Sequence, residues 1–200
     1  MKYIVKLCRS DDIKSFIETW HYSKSINGVK NKYCFKMLDN NEIIGAAIMA
    51  KLGMANTWKK YGEKEEDVIE LRRLCCIDDT PPNIESYFIG KIINWLKKYT
   101  KVLVVVSYAD QHYNHTGIIY KASNFEYLGQ TSPNKMIEWN GKLWHDKTIR
   151  TYYNGILKPY AQKLKDALDK GDAKYVTTDF KYIYIYKINR KIDPRQTFIF

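Results

Sequence analysis

Hydrophobic positions recur with two periods along residues 1–130, and each period indicates a different kind of element. Alternation with a period of two predicts strands, whereas recurrence every three to four residues predicts helices. Strands are expected at residues 2–8, 33–38, 43–49, 68–77, 101–107 and 125–129, with helices from Ser10 to about Trp20, from about Ile84 to Tyr99 and from about Asn114 to Ala122. The order β-α-β-β-β-α-β-α-β predicts an α/β fold (α+β in its pairing) with one mixed sheet.

Local sequence supports this order. A tight turn at 39–41 joins two strands into an antiparallel hairpin, and the prolines at 81–82 precede the second helix. The run at 101–107 is continuously apolar, which is typical of a strand buried on both faces. Helical crossovers should therefore make the later strands parallel to their neighbours.

Residues 131–200 are expected to elaborate this core. Asn140-Gly141 lies between two short apolar segments and predicts a hairpin of residues 137–139 and 142–144. A helix is predicted from Thr151 to Asp169, weakened in its first half by Gly155 and Pro159. Residues 181–187 alternate and should return to the sheet as its last member. With no internal repeat or low-complexity linker, the prediction is one domain with three parts: a core at 1–130, a basic hairpin-and-helix insertion at 131–178, and a final strand with tail at 179–200.

Composition narrows the class of protein. Two hundred residues with 45% hydrophobic content suffice for one packed domain. The sequence has no apolar run of about 18 residues and its N-terminus alternates, so neither a membrane span nor a secretion signal is expected. A cytoplasmic location follows. Cys75 and Cys76 are adjacent and no C-x-x-C pair occurs, so reduced thiols without structural zinc are expected.

The charge favours a polyanionic partner. Thirty-three basic and 22 acidic residues give a net charge of +11. Residues 131–200 hold 14 Lys/Arg and 7 Asp/Glu, so this third of the chain carries +7. Basic groups beside aromatic ones suit phosphate contact and stacking on a displaced base. The predicted contacts to double-stranded DNA are Lys142, His145, Lys147, Arg150 and Lys158. A lysine-rich solvated surface, with the aromatic residues forming a small core, is the alternative.

Two families resemble this chain. The element order and the segment 117–129, with Tyr120 on its helix and Asn124-Phe125 before a strand, resemble the GNAT acetyltransferases. The finer resemblance is to the Mom family of phage DNA-modification proteins, a divergent GNAT-like group. It is carried, in family order over residues 15–130, by His21-Tyr22-Ser23, Glu70-Leu71-Arg72-Arg73-Leu74, Ser107-Tyr108-Ala109-Asp110 and the segment from His115 to Gly129.

The resemblance implies a GNAT-like acyltransferase fold with a C-terminal hairpin and helix elaboration. It also implies a transferase that carbamoylmethylates the N6 amine of adenine in DNA, inside the host cell, and protects phage DNA from restriction. The implied co-substrate is a small-molecule group donor, such as acetyl-CoA or a related acyl donor, and the family also suggests iron. One departure from ordinary GNAT enzymes bears on the donor. Residues 78–86 have no glycine, two prolines and three acids where a Gly-rich loop would cradle coenzyme A phosphates.

Several residues could carry such chemistry. Asp110 follows the buried strand, where α/β sheets place ligands, and is the predicted proton acceptor or amine-orienting group. Alternation puts Arg73 and Arg72 on opposite faces of the strand, and the resemblance favours Arg73 as the anion ligand. The predicted catalytic residues are Arg73, Ser107, Asp110, Tyr120, His21 and Tyr22, and the predicted cofactor contacts are Arg73, Cys75 and Tyr120. Iron would need His21, Tyr22 and Asp110 to converge.

Structural roles compete with each of these assignments. Asp110 could cap the following loop, Arg73 could pair with Glu70, and Tyr120 could be a core tyrosine. Two other functions also fit the sequence. One is an acyl-CoA-dependent N-acyltransferase acting on a modified base, another nucleic acid or a protein amine. The other is a non-catalytic DNA-binding protein on a GNAT scaffold.

Overall fold

A computed structural model describes residues 3–189 of the chain, which form two compact units. Within the described range, the first unit consists of residues 3–109, 115–129 and 182–189, and the second of residues 110–114 and 130–181. The predicted insertion at 131–178 lies inside the second unit. The predicted tail beyond residue 189 lies outside the described residues.

The first unit is built on a seven-stranded mixed sheet. Its strands are β1 (Ile4–Cys8), β2 (Asn31–Asp39), β3 (Glu42–Ala50), β4 (Val68–Cys76), β5 (Val104–Asp110), β6 (Glu126–Gln130) and β12 (Lys181–Lys187). They lie in the order β1-β2-β3-β4-β5-β12-β6. The strands from β1 to β4 are antiparallel, whereas β4 and β5 are parallel. The final strand therefore returns to the sheet as predicted, but between two strands rather than at an edge.

Helices cover the two faces of this sheet. The helices are α1 (Ser10–Trp20), α2 (Ile84–Tyr99) and α3 (Ile118–Ala122). Ile13 and Ile17 of α1 are one helical turn apart and pack on Ile48 of β3. The residues on either side of Ile48 in β3, Ala47 and Met49, point to the opposite face and belong to the core that α2 covers. The α/β architecture with a mixed sheet and a helical crossover between β4 and β5 is thus confirmed.

An extra residue in β4 changes which side chains share a face. Ile48 pairs with Arg73, but Met49 pairs with Leu71, so Arg72 is a bulge between the two pairs. Glu70 and Arg73 consequently both point to the face that carries Ile48 and Ala50, although they are three residues apart. The prediction that alternation separates Arg72 from Arg73 is wrong, because a bulge interrupts the alternation between them.

The second unit contains small sheets and one helix. β7 (Lys135–Trp139) pairs with β8 (Lys142–His145) and with β11 (Lys174–Thr177), and β9 (Tyr152–Tyr153) pairs with β10 (Ile156–Leu157). Helix α4 spans Pro159–Lys170, and its Leu164 packs against Ile137 of β7. The predicted helix from Thr151 is wrong in its first half, since Asn154-Gly155 forms a hairpin turn and Pro159 begins the helix.

No helix among residues 3–189 combines the length and the apolar character needed to cross a membrane.

Candidate functional site

His21 closes α1 and lies in a cluster of side chains beside β4. Its backbone N–H donates to the carbonyl oxygen of Ile17, and its ring is buried against Tyr22, with 4.2 Å between ring centroids. Nδ1 of His21 accepts the backbone N–H of Ser23 at 3.1 Å. Because a backbone N–H can only donate, this bond indicates the neutral tautomer that carries its proton on Nε2.

Electrostatics favour the same neutral state of His21. Burial, followed by the nearby charges of Arg73, His115 and Lys24, lowers the pKa of His21 to about 3. An imidazole with this pKa stays uncharged at neutral pH and supplies a hydrogen-bond donor rather than a transferable acidic proton.

Arg73 reaches the cluster from the bulged part of β4. Its Nε donates to the carbonyl oxygen of Ser25 at 3.1 Å and its Nη1 to that of Arg72 at 2.9 Å. These two bonds fix the guanidinium plane in the half-buried site. Burial lowers the pKa of Arg73, while Tyr22 and Glu70 act against that shift. The structure therefore brings His21, Tyr22 and Arg73 together, and His115 joins them through a ring contact of 4.9 Å with Tyr22.

Ser107 and Tyr120 form a second pair in the same unit. The ladder between β4 and β5 ends at the pair of Glu70 and Val106, and the fully buried Ser107 then donates its hydroxyl to the carbonyl oxygen of Leu71. Tyr120 of α3 lies near Ser107 and packs between Phe125 and Tyr184. Burial raises the pKa of Tyr120, so its hydroxyl keeps its proton.

Asp110, the last residue of β5, belongs to the second unit. Its carboxylate is buried, accepts the backbone N–H of His112 at 3.2 Å, and pairs with Lys181 Nζ at 2.6 Å. Asp110 therefore caps the following loop, which is the structural role that competes with its predicted catalytic role. The ion pair also neutralises its charge, so a ligand that displaced Lys181 would meet a buried carboxylate.

Glu70 forms an ion pair with Arg72, whereas the alternative considered from the sequence was a pair with Arg73. Arg72 Nη1 lies 2.9 and 2.8 Å from the two carboxylate oxygens of Glu70, so the buried glutamate pairs with Arg72 rather than with Arg73. Burial raises the pKa of Glu70, and Arg72 opposes the shift. The charged residues inside an apolar strand were the sequence signal, but the bulge that selects the partner is visible only in the paired sheet.

A cavity of about 510 Å³ opens beside Arg72 in the first unit. Sequence reasoning missed it, because its lining comes from three separate segments that have no shared motif. Its basic and aromatic lining residues are Lys30, Lys32, Lys51, Trp58 and Arg72. The volume lies within the range of ligand sites. Lys51 is paired with Glu65, which also lines the cavity, and Arg72 is paired with Glu70, so Lys30 and Lys32 are the lining cations that suit an anionic ligand.

Cys75, a predicted cofactor contact, packs under α1 with Ile13, Ile17 and Ile48. Burial raises the pKa of its thiol to about 12, which leaves it protonated and unreactive. This environment gives Cys75 a packing role.

The predicted iron ligands His21, Tyr22 and Asp110 show no features of a metal site. The Asp110 carboxylate is already paired with Lys181. Throughout the described range, no three His, Cys, Asp or Glu residues are arranged to hold a metal ion. His21 also uses Nδ1 to accept a hydrogen bond from Ser23. These residues do not fit an iron centre in this arrangement.

The residues at the start of α2 also do not fit the phosphates of coenzyme A. Pro81 and Pro82 lack N–H groups, and Asn83 precedes the helix in the left-handed conformation. A cavity of about 410 Å³ lies beside this end of the helix, and among the described residues it is lined by amides, hydroxyls and apolar groups without Lys or Arg.

The predicted DNA contacts all lie in the second unit. Lys142 lies over the ring of Trp144 at 4.5 Å and Lys158 over that of Tyr153 at 5.9 Å, which are cation–π distances. Asp146 pairs with both His145 and Arg150, so part of the positive charge here is compensated locally. The ammonium groups of Lys142, Lys147 and Lys158 remain the main cationic contribution of this set.

Comparison with known proteins identifies a family and a fold. The model of the Mom protein family matches residues 2–198. The methylcarbamoylase Mom of Escherichia phage Mu is 28% identical over 148 residues, which cover 71% of this chain and 59% of the phage protein. The chain thus matches somewhat over half the length of that relative.

Among solved structures, a Bacillus subtilis acetyltransferase in complex with CoA aligns with a TM-score of 0.54 at 12% identity, covering 93% of this chain and 99% of its own. The ribosomal-protein-S5-alanine acetyltransferase of Vibrio fischeri aligns with a TM-score of 0.53 at 10% identity and covers 94% of both chains. These likenesses confirm the predicted acetyltransferase-type fold.

Proposed function

Since the chain belongs to the Mom protein family, we propose that it is a DNA-modifying transferase that carbamoylmethylates the N6 amine of adenine and so protects phage DNA from restriction. The observation that carries this proposal is the similarity to the methylcarbamoylase of phage Mu. The basic second unit supports DNA as the substrate, because its cations suit the phosphate backbone.

The adenine N6 amine is a weak nucleophile, because its lone pair is delocalised into the ring. A catalyst must hold it against an electrophilic carbon and remove a proton as the new C–N bond forms. We assign the proton-accepting or amine-orienting role to Asp110, whose buried carboxylate is paired with Lys181 before the substrate binds.

The cluster around β4 is proposed to bind the group that is transferred. Arg73 has its guanidinium plane fixed by two carbonyl oxygens and is a donor for an anionic or carbonyl oxygen. His21, neutral and protonated on Nε2, provides a second hydrogen-bond donor, with Tyr22 stacked on its ring. Tyr120, whose raised pKa keeps its proton in place, is proposed to protonate the leaving group, and the nearby Ser107 hydroxyl is held by the carbonyl oxygen of Leu71.

The 510 Å³ cavity is the proposed site of the target nucleotide. Trp58 offers an aromatic surface for a base, and Lys30 and Lys32 offer charge for its phosphates. Glu70 fixes Arg72 at the edge of this cavity through a single guanidinium nitrogen.

Mass spectrometry of nucleosides from cells that express the protein tests the proposal. Wild-type protein is expected to yield a carbamoylmethylated deoxyadenosine. Asp110→Asn should lower its yield by about 100-fold or more, the usual contribution of a general base. Asp179→Asn is the matched control, because Asp179 is an exposed aspartate of the same unit that lies near His112. Only ordinary nucleosides from cells with soluble wild-type protein would rule the function out.

A second candidate function is an acyl-CoA-dependent N-acyltransferase, favoured by the fold shared with an acetyltransferase that was solved with CoA. Calorimetry with acetyl-CoA separates the two. Micromolar binding would favour this candidate, whereas the prolines and the cation-free cavity beside α2 lead us to expect no measurable heat of binding.

A further inference from the structure

The β9–β10 hairpin presents apolar side chains to solvent at the tip of a very short ribbon. Tyr153 and Ile156 lie directly opposite each other across the turn, and they are 69% and 74% exposed. Ile156 is the most exposed large hydrophobic side chain in the described part of the chain. Exposed apolar groups cost solubility, and a pair of them at a projecting turn indicates a contact surface.

The local geometry holds this tip in one shape. Asn154 and Gly155 adopt φ angles of 49° and 77°, as a two-residue type I′ turn requires. At the open end of the hairpin, the backbone N–H of Lys158 donates to the carbonyl oxygen of Thr151 at 2.9 Å. Lys158 then serves as the N-cap residue of α4. The ribbon is thus closed at both ends, which lowers the entropy lost when its side chains contact a partner.

The positive charge around the hairpin indicates what kind of partner this surface binds. Between residues 142 and 165 the chain has six Lys/Arg and one Asp. Lys158 lies 5.9 Å from the ring centroid of Tyr153, so a cation stands directly beside the apolar tip. Cations behind an apolar, aromatic projection complement a polyanion that has a stacked apolar interior, which is the structure of duplex DNA.

We propose that the β9–β10 hairpin is a wedge that enters duplex DNA and unstacks a base step with Tyr153 and Ile156, while the neighbouring cations bind phosphates. This inference rests on the proposed function, because an enzyme that reacts with a base must first bring that base out of the stack. A two-stranded ribbon is narrow enough for the major groove, which is about 12 Å wide.

Plasmid unwinding tests the wedge without knowledge of the target sequence. Side chains inserted between base pairs untwist the duplex, so relaxation by topoisomerase I in the presence of the protein should change the linking number of a closed circular plasmid. The test variant is the double substitution Tyr153→Ala with Ile156→Ala. The matched control is Tyr175→Ala with Ile118→Ala, which removes the same residue types from exposed positions elsewhere, 46% and 72% exposed.

The wild type and the control variant are expected to shift the linking number equally. The test variant should bind the plasmid at low salt through its retained cations, yet shift the linking number by about a tenth as much or less, given the usual cost of removing a stacking side chain. A conservative variant, Tyr153→Phe with Ile156→Leu, should restore the shift, because the wedge acts through shape and apolar surface. Equal shifts from the wild type and the alanine variant would overturn the proposal, as would a wild type that binds without any shift.

Nucleoside mass spectrometry on the same variants separates the wedge from the proposed function. Modified deoxyadenosine at wild-type yield in the alanine variant would overturn the wedge and leave the function standing. If wild-type protein leaves the nucleosides unmodified but still unwinds the plasmid, the proposed function is overturned and the wedge is supported as a DNA contact. Loss of the modified nucleoside in the alanine variant alone, with recovery in the conservative variant, supports both.

Discussion

The His21 side chain lies in surroundings that oppose a positive charge. Burial and the nearby Arg73 lower its pKa from 6.5 to about 3 in the folded chain. The unfolded chain therefore binds more protons than the folded one between these values, and stability falls as the pH drops from about 6.5 towards 3. Above pH 6.5 the His21 contribution is fully present.

Acid titration of unfolding should show this coupling. A single linked proton changes the free energy of unfolding by at most about 1.4 kcal/mol per pH unit. Urea unfolding of His21→Gln at pH 7.5 and pH 5 is expected to show a shallower loss of stability than the wild type over the same interval. His112→Gln, which changes an exposed histidine, serves as the control. Identical pH slopes for wild type and His21→Gln would show that His21 titrates normally.

At the scale of single residues, the sequence identified most of the side chains that cluster in the structure, but it did not identify their hydrogen-bond and ion-pair partners. His21, Tyr22, Arg73, Ser107 and Tyr120 come from ordered motifs, and the structure places them in two groups of one unit. The partner of Glu70 could not be found, because it depends on how β4 pairs with β3. A bulge is a property of two strands, and neither strand alone encodes it.

At the scale of elements, Gly117 marks where the loop before α3 meets the last strand. Its φ is +79°, and a Cβ at this position would lie 2.1 Å from Cε2 of Tyr184, whose hydroxyl donates to the carbonyl oxygen of Thr116 at 2.7 Å. Gly28 has a similar φ of +74° but open space around it. Comparing the two glycines therefore distinguishes the cost of a left-handed backbone from the cost of a steric clash with Tyr184.

Thermal unfolding of Gly117→Ala and Gly28→Ala measures the difference. Gly28→Ala should cost about 1–2 kcal/mol, the usual penalty for a left-handed alanine. Gly117→Ala should cost at least about 2 kcal/mol more, because Tyr184 is fully buried and cannot move without disturbing Tyr120 and Phe125. Equal losses in the two variants would mean that Tyr184 has room to shift.

Predictability also differs among the elements. Long strands and helices of the first unit follow their hydrophobic period, and the structure has them close to the expected residues. The β9–β10 hairpin was predicted as helix, because strands of two residues have no period to detect and the amphipathic helix α4 follows directly. Asn154-Gly155 was the available signal, and it identifies the turn when it is given more weight than the neighbouring helical pattern.

At the scale of the whole molecule, the excess of positive charge should appear as a salt dependence of DNA binding. Each phosphate contact contributes about 0.9 to the slope of log K against log salt concentration. The cations of the second unit are unequal, because Arg150 is paired with Asp146 whereas Lys142 and Lys158 lie over aromatic rings. Removing the three lysines and the arginine of the predicted DNA contacts should therefore reduce the slope by about 3 rather than 4.

Fluorescence anisotropy with a duplex oligonucleotide at several salt concentrations measures this slope. The test variant changes four cations of the second unit to glutamine: Lys142, Lys147, Arg150 and Lys158. A control variant changes four exposed lysines of the first unit: Lys14, Lys91, Lys98 and Lys101. Both variants lower the net charge from +11 to +7, so a general electrostatic attraction would reduce the slope equally in both. A loss confined to the test variant assigns phosphate contact to the second unit, because the slope counts ions released at the contact surface and is insensitive to distant charge.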